Sequence, residues 1–451
     1  MRARIKTIAP IGALLVLLLA LPQGGVVRAG DADQGPIELN VTVETLDNGL
    51  KVILLEDHSV PVISYQTFFR VGSRNERPGI TGISHFMEHM MFNGADRYGP
   101  KEFDGVLEAN GGYSNAFTSN DMTAYYEDIA SDGLELVVDL DSDRMASLAL
   151  DPKYLVSEMG VVKEERRVRI DNSVSGRMRE ELYALAFKAH SYATPVLGWM
   201  CDLEMIDRTD CVNYFRTYYA PNNAVLIVGG DFDTKEALEL IHTYYDGIPA
   251  QEPPEPVRTL EPDQLGERRA KVHKKAELPE IMIGYRAPSA HSEDLYALEV
   301  LQQVLVEGES SRLHRKLVRD LGIAVYAYGY FPWRVDDGLF IFGAKMRPGH
   351  ATGEAERAIY ETLGEIAESG ITEKELTKAK NALEANFVRS MQTVNGKATK
   401  IGRYEIIFGD YNEVLRIPRR YRSVTSDDVR RVVGTYFTEK SRNVVTLVPE
   451  A

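Results

Sequence analysis

The chain has 451 residues, enough for two or more domains, and its 44% hydrophobic content is ordinary for a protein with a full core. A formal net charge of −15 makes it a poor partner for nucleic acid or an anionic membrane surface and favours solubility. The only two cysteines are Cys201 and Cys211; an oxidising compartment permits a bridge between them, and neither lies near a histidine that would suggest a nucleophile.

Arg2, Arg4 and Lys6 precede an apolar run from Ile8 to Leu21, followed by Val27-Arg28-Ala29. This pattern predicts a secretory signal peptide, residues 1–29, cleaved after Ala29. The run is shorter than the roughly 20 residues of a membrane-spanning helix. No later segment has the length and apolarity to span. Cleavage removes four basic residues and no acidic ones, taking the formal charge to −19. The expected mature protein is exported, soluble and periplasmic, with no membrane span.

Two strands follow, "LKVILLEDH" and "VISYQTFFRVG", joined by a turn at Ser59-Val60-Pro61. "GISHFMEHMMFNG" reads as a helix, and "PKEFDGVLEANGG" as another. "YSNAFTSNDMTAYYEDI" alternates as a single strand. Because Gly111 and Gly112 precede a polar stretch, its start reads as a sheet edge able to pair with an added peptide strand. "GLELVVDLDSDRMASLAL" and "YLVSEMGVVKEERRVRI" are helical. Strands linked partly by hairpins, with helices between them, predict an α+β fold with helices packed on a mixed sheet.

The stretch from Gly247 to Arg269 is rich in proline and charge, which suits a linker. Around it, "TDCVNYFRTYYAPNNAVLIVGGD" and "TSDDVRRVVGTYFTEKSRNVVTLVPE" share a cap, a helix ending in an aromatic pair, a turn and a β-branched strand. Their separation near 218 residues predicts a duplicated domain. The expected boundaries are 37–248 for the first domain, 249–268 for the linker and 269–451 for the second.

The segment HFMEH carries the chemistry. On a helix, His85 and His89 lie at i and i+4 on one face, with Glu88 beside them. Two neutral imidazoles at this spacing suit zinc, which in catalytic sites takes three protein ligands. Glu158 and Glu165, seven residues apart, share a face of the later helix, about 20° out of register, whereas Glu164 falls roughly 100° away. Two carboxylates on a part-apolar face are costly without a cation. Glu165 is the expected third ligand and Glu158 a carboxylate that orients an imidazole or the ligand itself. Zinc lowers the pKa of water to about 7, and Glu88 can take the water's proton and pass it to a leaving amine.

HFMEH is the inverted H-x-x-E-H motif, and the chain resembles the pitrilysin-type (M16) metallopeptidases, or inverzincins. The likeness is to the two-domain branch that includes the mitochondrial processing peptidase β subunit. It rests on GISHFMEHMMFNG, Glu158-x-x-Val161-Val162-x-Glu164-Glu165, GWMCDLE, YYAPNNAVLIVGGD and GESSRL. The resemblance implies two homologous α/β sandwich domains and a zinc endopeptidase working in a closed chamber. It also implies one zinc per chain on His85, His89 and Glu165, with Glu88 as base supported by Glu158. Asn115, Ala116 and Phe117 would line the cleft as substrate-binding positions.

One departure stands out. Many members carry an Arg and a Tyr in a segment S-R-L-x4-R-x6-Y that hold the substrate carbonyl. Aligned on Ser311-Arg312-Leu313, these positions are Val318 and Val325, with Arg319 and Tyr326 each one residue off. This implies a heterodimer in which a paralogous subunit supplies the pair. A homodimer using Arg319 and Tyr326 is the second choice. The alternative functions are a non-catalytic structural or assembly subunit of this fold, and a peptide-binding module with structural zinc.

Overall fold

The structure, a computed structural model, describes residues 39–450. The signal peptide call and the first residues of the expected first domain lie outside the described residues. None of the described helices is long and apolar enough to cross a membrane.

Among the described residues, eleven strands form two sheets. The first contains β1 (Thr42–Thr45), β2 (Lys51–Glu56), β3 (Val62–Phe69), β4 (Tyr113–Thr118), β5 (Thr123–Ala130) and β6 (Ala224–Gly230), in the order β1-β2-β6-β3-β5-β4. The second contains β7 (Arg268–Lys275), β8 (Glu280–Ala287), β9 (Ala324–Tyr330), β10 (Gly338–Met346) and β11 (Arg442–Glu450), in the order β7-β11-β8-β10-β9. Each sheet is mixed, with one parallel pair, β2–β6 or β7–β11.

Two sequence expectations need correcting. β2 and β3 do not pair with each other, because β6 inserts between them, parallel to β2 and antiparallel to β3. Tyr113–Ala130 is an antiparallel hairpin rather than one strand. Ser119 turns the chain: its amide donates to the Met122 carbonyl, and its hydroxyl accepts from the amides of Asp121 and Met122.

The duplicated ends are superimposable in sequence. Helix Arg208–Tyr218 leads through Pro221–Asn223 into β6, and helix Ser426–Tyr436 leads through Glu439–Ser441 into β11, every element displaced by 218 residues. Both helices open with a capping box, Asp207 with Asp210 and Thr425 with Asp428. Each such box satisfies two orphan N–H groups at the helix start.

The halves also exchange a helix. Val174–Ala186 lies against β7, β8 and β11, where Met178 and Leu182 join a core with Met282, Ile341 and Val445. Val394–Phe408, from the second half, lies against β3 and β6 of the first sheet. Gly402 makes that approach possible, since a Cβ there would stand 2.2 Å from the Phe68 ring. Each sheet therefore buries one face under a helix encoded in the other half.

Candidate metal centre and peptide cleft

The helix Ile83–Met90 begins at Gly82, whose φ of +89° and close approach to the Leu197 carbonyl exclude a side chain. Glu76 supplies the missing cap. Its buried carboxylate accepts from the Gly82 amide at 2.8 Å and the Ser84 amide at 2.9 Å. Asp202, in the GWMCDLE segment, accepts from the Thr81 hydroxyl at 2.6 Å and the Thr81 and Gly79 amides at 3.2 Å. Sequence reasoning gave neither Glu76 nor Asp202 a role: GWMCDLE entered only as a family motif, and the donors these carboxylates accept from are backbone amides and the Thr81 hydroxyl, which no residue pattern marks.

Helix Ile83–Met90 packs against helix Pro152–Arg166, and the two bring the expected residues together. One ligand atom from each of His85, His89 and Glu165 lies within 4.8 Å of the others. His85 Nε2 and His89 Nε2 each stand 3.4 Å from Glu165 Oε2. Glu158 lies on the far side of the second imidazole, its Oε2 3.3 Å from His89 Nδ1. Glu164, by contrast, is exposed and pairs with Arg167.

The donor set fits zinc: two imidazole nitrogens and one carboxylate oxygen converge, and no fourth His, Cys, Asp or Glu joins them among the described residues. The electrostatics agree with that reading. Burial, then the neighbouring His89, lower the pKa of His85 to about 4, leaving a neutral imidazole at pH 7. Burial pulls His89 down as well, but Glu165, Glu88 and Glu158 outweigh it and raise its pKa. Contact with His89 lowers that of Glu165.

Glu165 Oε1 is held at 2.9 Å by Arg169, which lies in a π-helical turn, Arg167–Asp171. Glu88 projects beside the cluster and accepts from the Thr118 hydroxyl on β4. Burial raises its pKa, with the Thr118 bond opposing. Sequence reasoning missed both Thr118 and Arg169, although Arg169 sits at i+4 from Glu165 and its spacing could have suggested the pair.

All these groups face a cleft of about 1300 Å³, lined also by Asn115, Ala116 and Phe117. β4 is an edge strand, paired only with β5. The Ala116 amide points outward and is satisfied by the Asn115 side chain at 2.8 Å. The Phe117 ring packs edge-on against Phe68, 6.3 Å between centroids, near the Arg403 guanidinium.

Cys201 is exposed, Cys211 is buried, and both are free. Arg319 lies in the last turn of a second π-helical stretch, His314–Asp320, and Tyr326 lies on the edge strand β9. Both side chains are exposed, and among the described residues neither has a hydrogen-bond or ion-pair partner.

Comparisons with known proteins bear on the family and the fold. Residues 51–199 match the family described as insulinase (peptidase family M16), and residues 206–383 match the peptidase M16 inactive domain. The chain is 30% identical over 410 residues to the zinc protease PqqE of Helicobacter pylori, covering 90% of this chain and 92% of that one. It is 26% identical to the zinc protease YmxG of Bacillus subtilis, covering 88% and 95%. A crystal structure of a protease from Helicobacter pylori superposes with a TM-score of 0.88 at 29% identity, over 91% of this chain and all of that one. The periplasmic protease PqqL from Escherichia coli shares the fold at a TM-score of 0.76 and 18% identity, over 92% of this chain and 48% of that one. Relatives named zinc proteases, matched over nearly their whole length, give the chain a peptidase-type role, and it belongs to peptidase family M16.

Proposed function

We propose that the chain is a zinc-dependent endopeptidase subunit, exported to the periplasm, that hydrolyses oligopeptides in a chamber closed by a second M16 chain. The observation that carries this is the convergence of His85, His89 and Glu165 with Glu88 beside them, in a cleft bordered by a free sheet edge. When bound, zinc supplies Lewis acidity toward water and the scissile carbonyl.

The chain's own residues do the remainder. Glu88 accepts a proton from the attacking water and returns it to the leaving amine. Thr118, donating to one oxygen of Glu88, fixes the carboxylate and leaves its other oxygen free to face the cleft. Glu158 fixes the tautomer of His89 by accepting a hydrogen bond from Nδ1–H, so that Nε2 presents its lone pair. Arg169 holds Glu165 in the orientation that faces both histidines. The substrate pairs with β4 as an added strand, its backbone displacing the Asn115 side chain from the Ala116 amide. Readout through the main chain gives broad sequence tolerance and requires an extended substrate.

For the second chain, the sequence alignment favours a paralogue carrying the Arg and Tyr. A specific observation supports the homodimer instead. A π-helical turn holds one residue more than an α-helical turn, and one spans His314–Asp320. The extra residue accounts for the one-residue offset of Arg319, and the seven-residue spacing from Arg319 to Tyr326 is intact.

The test is an assay of the purified lone chain on quenched fluorescent oligopeptides, with and without chelator. Chelator-sensitive hydrolysis is the expected result; zinc binding without hydrolysis, alone or with any paralogue, would instead indicate a non-catalytic assembly subunit. Hydrolysis by the lone chain that Tyr326→Phe abolishes identifies the homodimer. Hydrolysis only on mixing with a paralogue identifies the heterodimer.

A further inference from the structure

A second cavity, about 320 Å³, opens off the metal cleft and shares Arg169, Val196 and Leu197 with it. Its walls come from both halves: helix Val174–Ala186 and the loop through Leu197 on one side, Tyr330 at the end of β9 and Arg334 on the other. Three guanidinium groups line it, those of Arg169, Arg179 and Arg334.

The nearby carboxylates are already engaged. Glu180 is held by Arg166 at 2.8 Å and Arg177 at 2.6 Å. Asp121 accepts from the Tyr192 hydroxyl at 2.6 Å. Arg169 pairs with Glu165, but Arg179 and Arg334 form no ion pair among the described residues. Each instead lies over a ring, Arg179 5.7 Å from the Tyr330 centroid and Arg334 5.8 Å from that of Tyr192. The Tyr330 hydroxyl, also lining the cavity, is buried and has no hydrogen-bond partner.

Arg334 feels the charge of Asp121, while the exposed Arg179 guanidinium stays available to an anion, and a buried hydroxyl without a partner costs free energy by itself. A carboxylate answers both, because two guanidinium forks and a phenol can donate to its two oxygens. The cavity continues a cleft read above as a peptide channel, and the anionic groups a peptide carries are carboxylates.

We propose that this cavity is a subsite for a carboxylate of the peptide substrate, either its C-terminus or an Asp or Glu side chain near the scissile bond. The inference rests on the peptidase reading for the identity of its ligand. The subsite would make a protein with a strongly acidic surface select acidic or short-tailed peptides at one position, by local charge rather than net charge.

The test uses the full chain with zinc and three matched fluorescent peptides: amidated with an internal Asn, amidated with an internal Asp, and free-acid with Asn. Binding is measured by anisotropy on the Glu88→Gln protein, and kcat/KM on the otherwise unchanged chain. One of the two carboxylate-bearing peptides should be favoured over the neutral one by about 10- to 100-fold, as expected for charge-assisted hydrogen bonds. The favoured peptide identifies the source, side chain or terminus. Arg334→Met and Arg179→Met should each reduce that ratio. Because Arg179 is exposed, its variant remains informative if Arg334→Met fails to fold. A ratio near one in the parent protein, or a preference that survives both substitutions, overturns the subsite. Should no peptide be hydrolysed, the peptidase reading fails, while the binding ratio still decides the subsite.

Discussion

Replacing three carboxylates one at a time separates the roles assigned to them. Glu88→Gln preserves size and can still accept from Thr118, but it cannot hold a proton in transit. General acid–base groups contribute about 100- to 10,000-fold, so turnover should fall by that range with zinc content unchanged. Glu158→Gln acts through His89 Nδ1, 3.3 Å away. Loss of such an outer partner typically costs about 10- to 100-fold in metal affinity, and turnover should recover when zinc is added in excess. Glu165→Gln removes the charged ligand itself and leaves Arg169 without its partner. Its loss of affinity should exceed that of Glu158→Gln. The assay is metal per chain in a zinc buffer series, with peptide hydrolysis at each free-zinc level. A zinc-free Glu88→Gln protein beside a fully loaded Glu165→Gln protein would refute the assignment. So would Glu88→Gln turnover within tenfold of the parent at saturating zinc.

Three further outcomes follow from other parts of the structure. Burial raises the pKa of Glu76 from 4.5 to about 7, so the folded chain holds a proton that the unfolded chain releases. Stability is therefore greatest below pH 4.5 with respect to this group and declines up to about pH 7, by about 3 kcal/mol at 1.36 kcal/mol per unit. Denaturant melts of Glu76→Gln should lack this decline, and parallel pH profiles would refute it. Gly402→Ala places a methyl 2.2 Å from Phe68 and should cost about 1–3 kcal/mol, read as a lower urea midpoint; an unchanged midpoint would contradict the exchanged helix. Ala116→Pro removes an outward edge amide, a position where a sheet tolerates proline, so the fold should survive while hydrolysis falls about 3- to 10-fold. Unchanged cleavage of extended peptides would rule out strand addition there.

The parts of this molecule that were legible in the sequence are those set by local periodicity. The i, i+4 spacing puts His85 and His89 on one face, and the seven-residue spacing puts Glu158 and Glu165 on another. The repeated helix–turn–strand was readable because both copies keep their caps and their 218-residue separation. What was hidden depends on distant pairing. β6 enters between β2 and β3 from about 160 residues away, and no residue in β2 or β3 signals which neighbour it will take. The exchanged helices carry ordinary amphipathic patterns that do not say whose sheet they cover. Asp202 and Thr118 escaped notice because each acts on a group that only the tertiary fold delivers, and Glu76 because its partners, though near in sequence, are backbone amides at no motif spacing.

The offset of Arg319 and Tyr326 shows a subtler limit. Counting from Ser311-Arg312-Leu313 assumes a constant residue count per turn, and that count puts valines where the family pattern has Arg and Tyr. The chain instead winds His314–Asp320 as a π-helix, with the Leu321 amide donating to the Lys316 carbonyl five residues back. Beyond that turn every position is shifted by one relative to an α-helical count, so Arg319 and Tyr326 move together and keep their mutual spacing. Helix Pro152–Arg166 ends in the same device, where the Asn172 amide reaches the Arg167 carbonyl. There the turn carries Arg169, the residue that grips Glu165. Both π-turns thus carry an arginine, Arg169 in the first and Arg319 in the second. A one-residue deletion within His314–Asp320 that restores a regular helix would separate the two accounts. If it leaves peptide hydrolysis by the lone chain intact, the π-turn has no part in placing Arg319 and Tyr326, and the paralogous partner regains its place as their source.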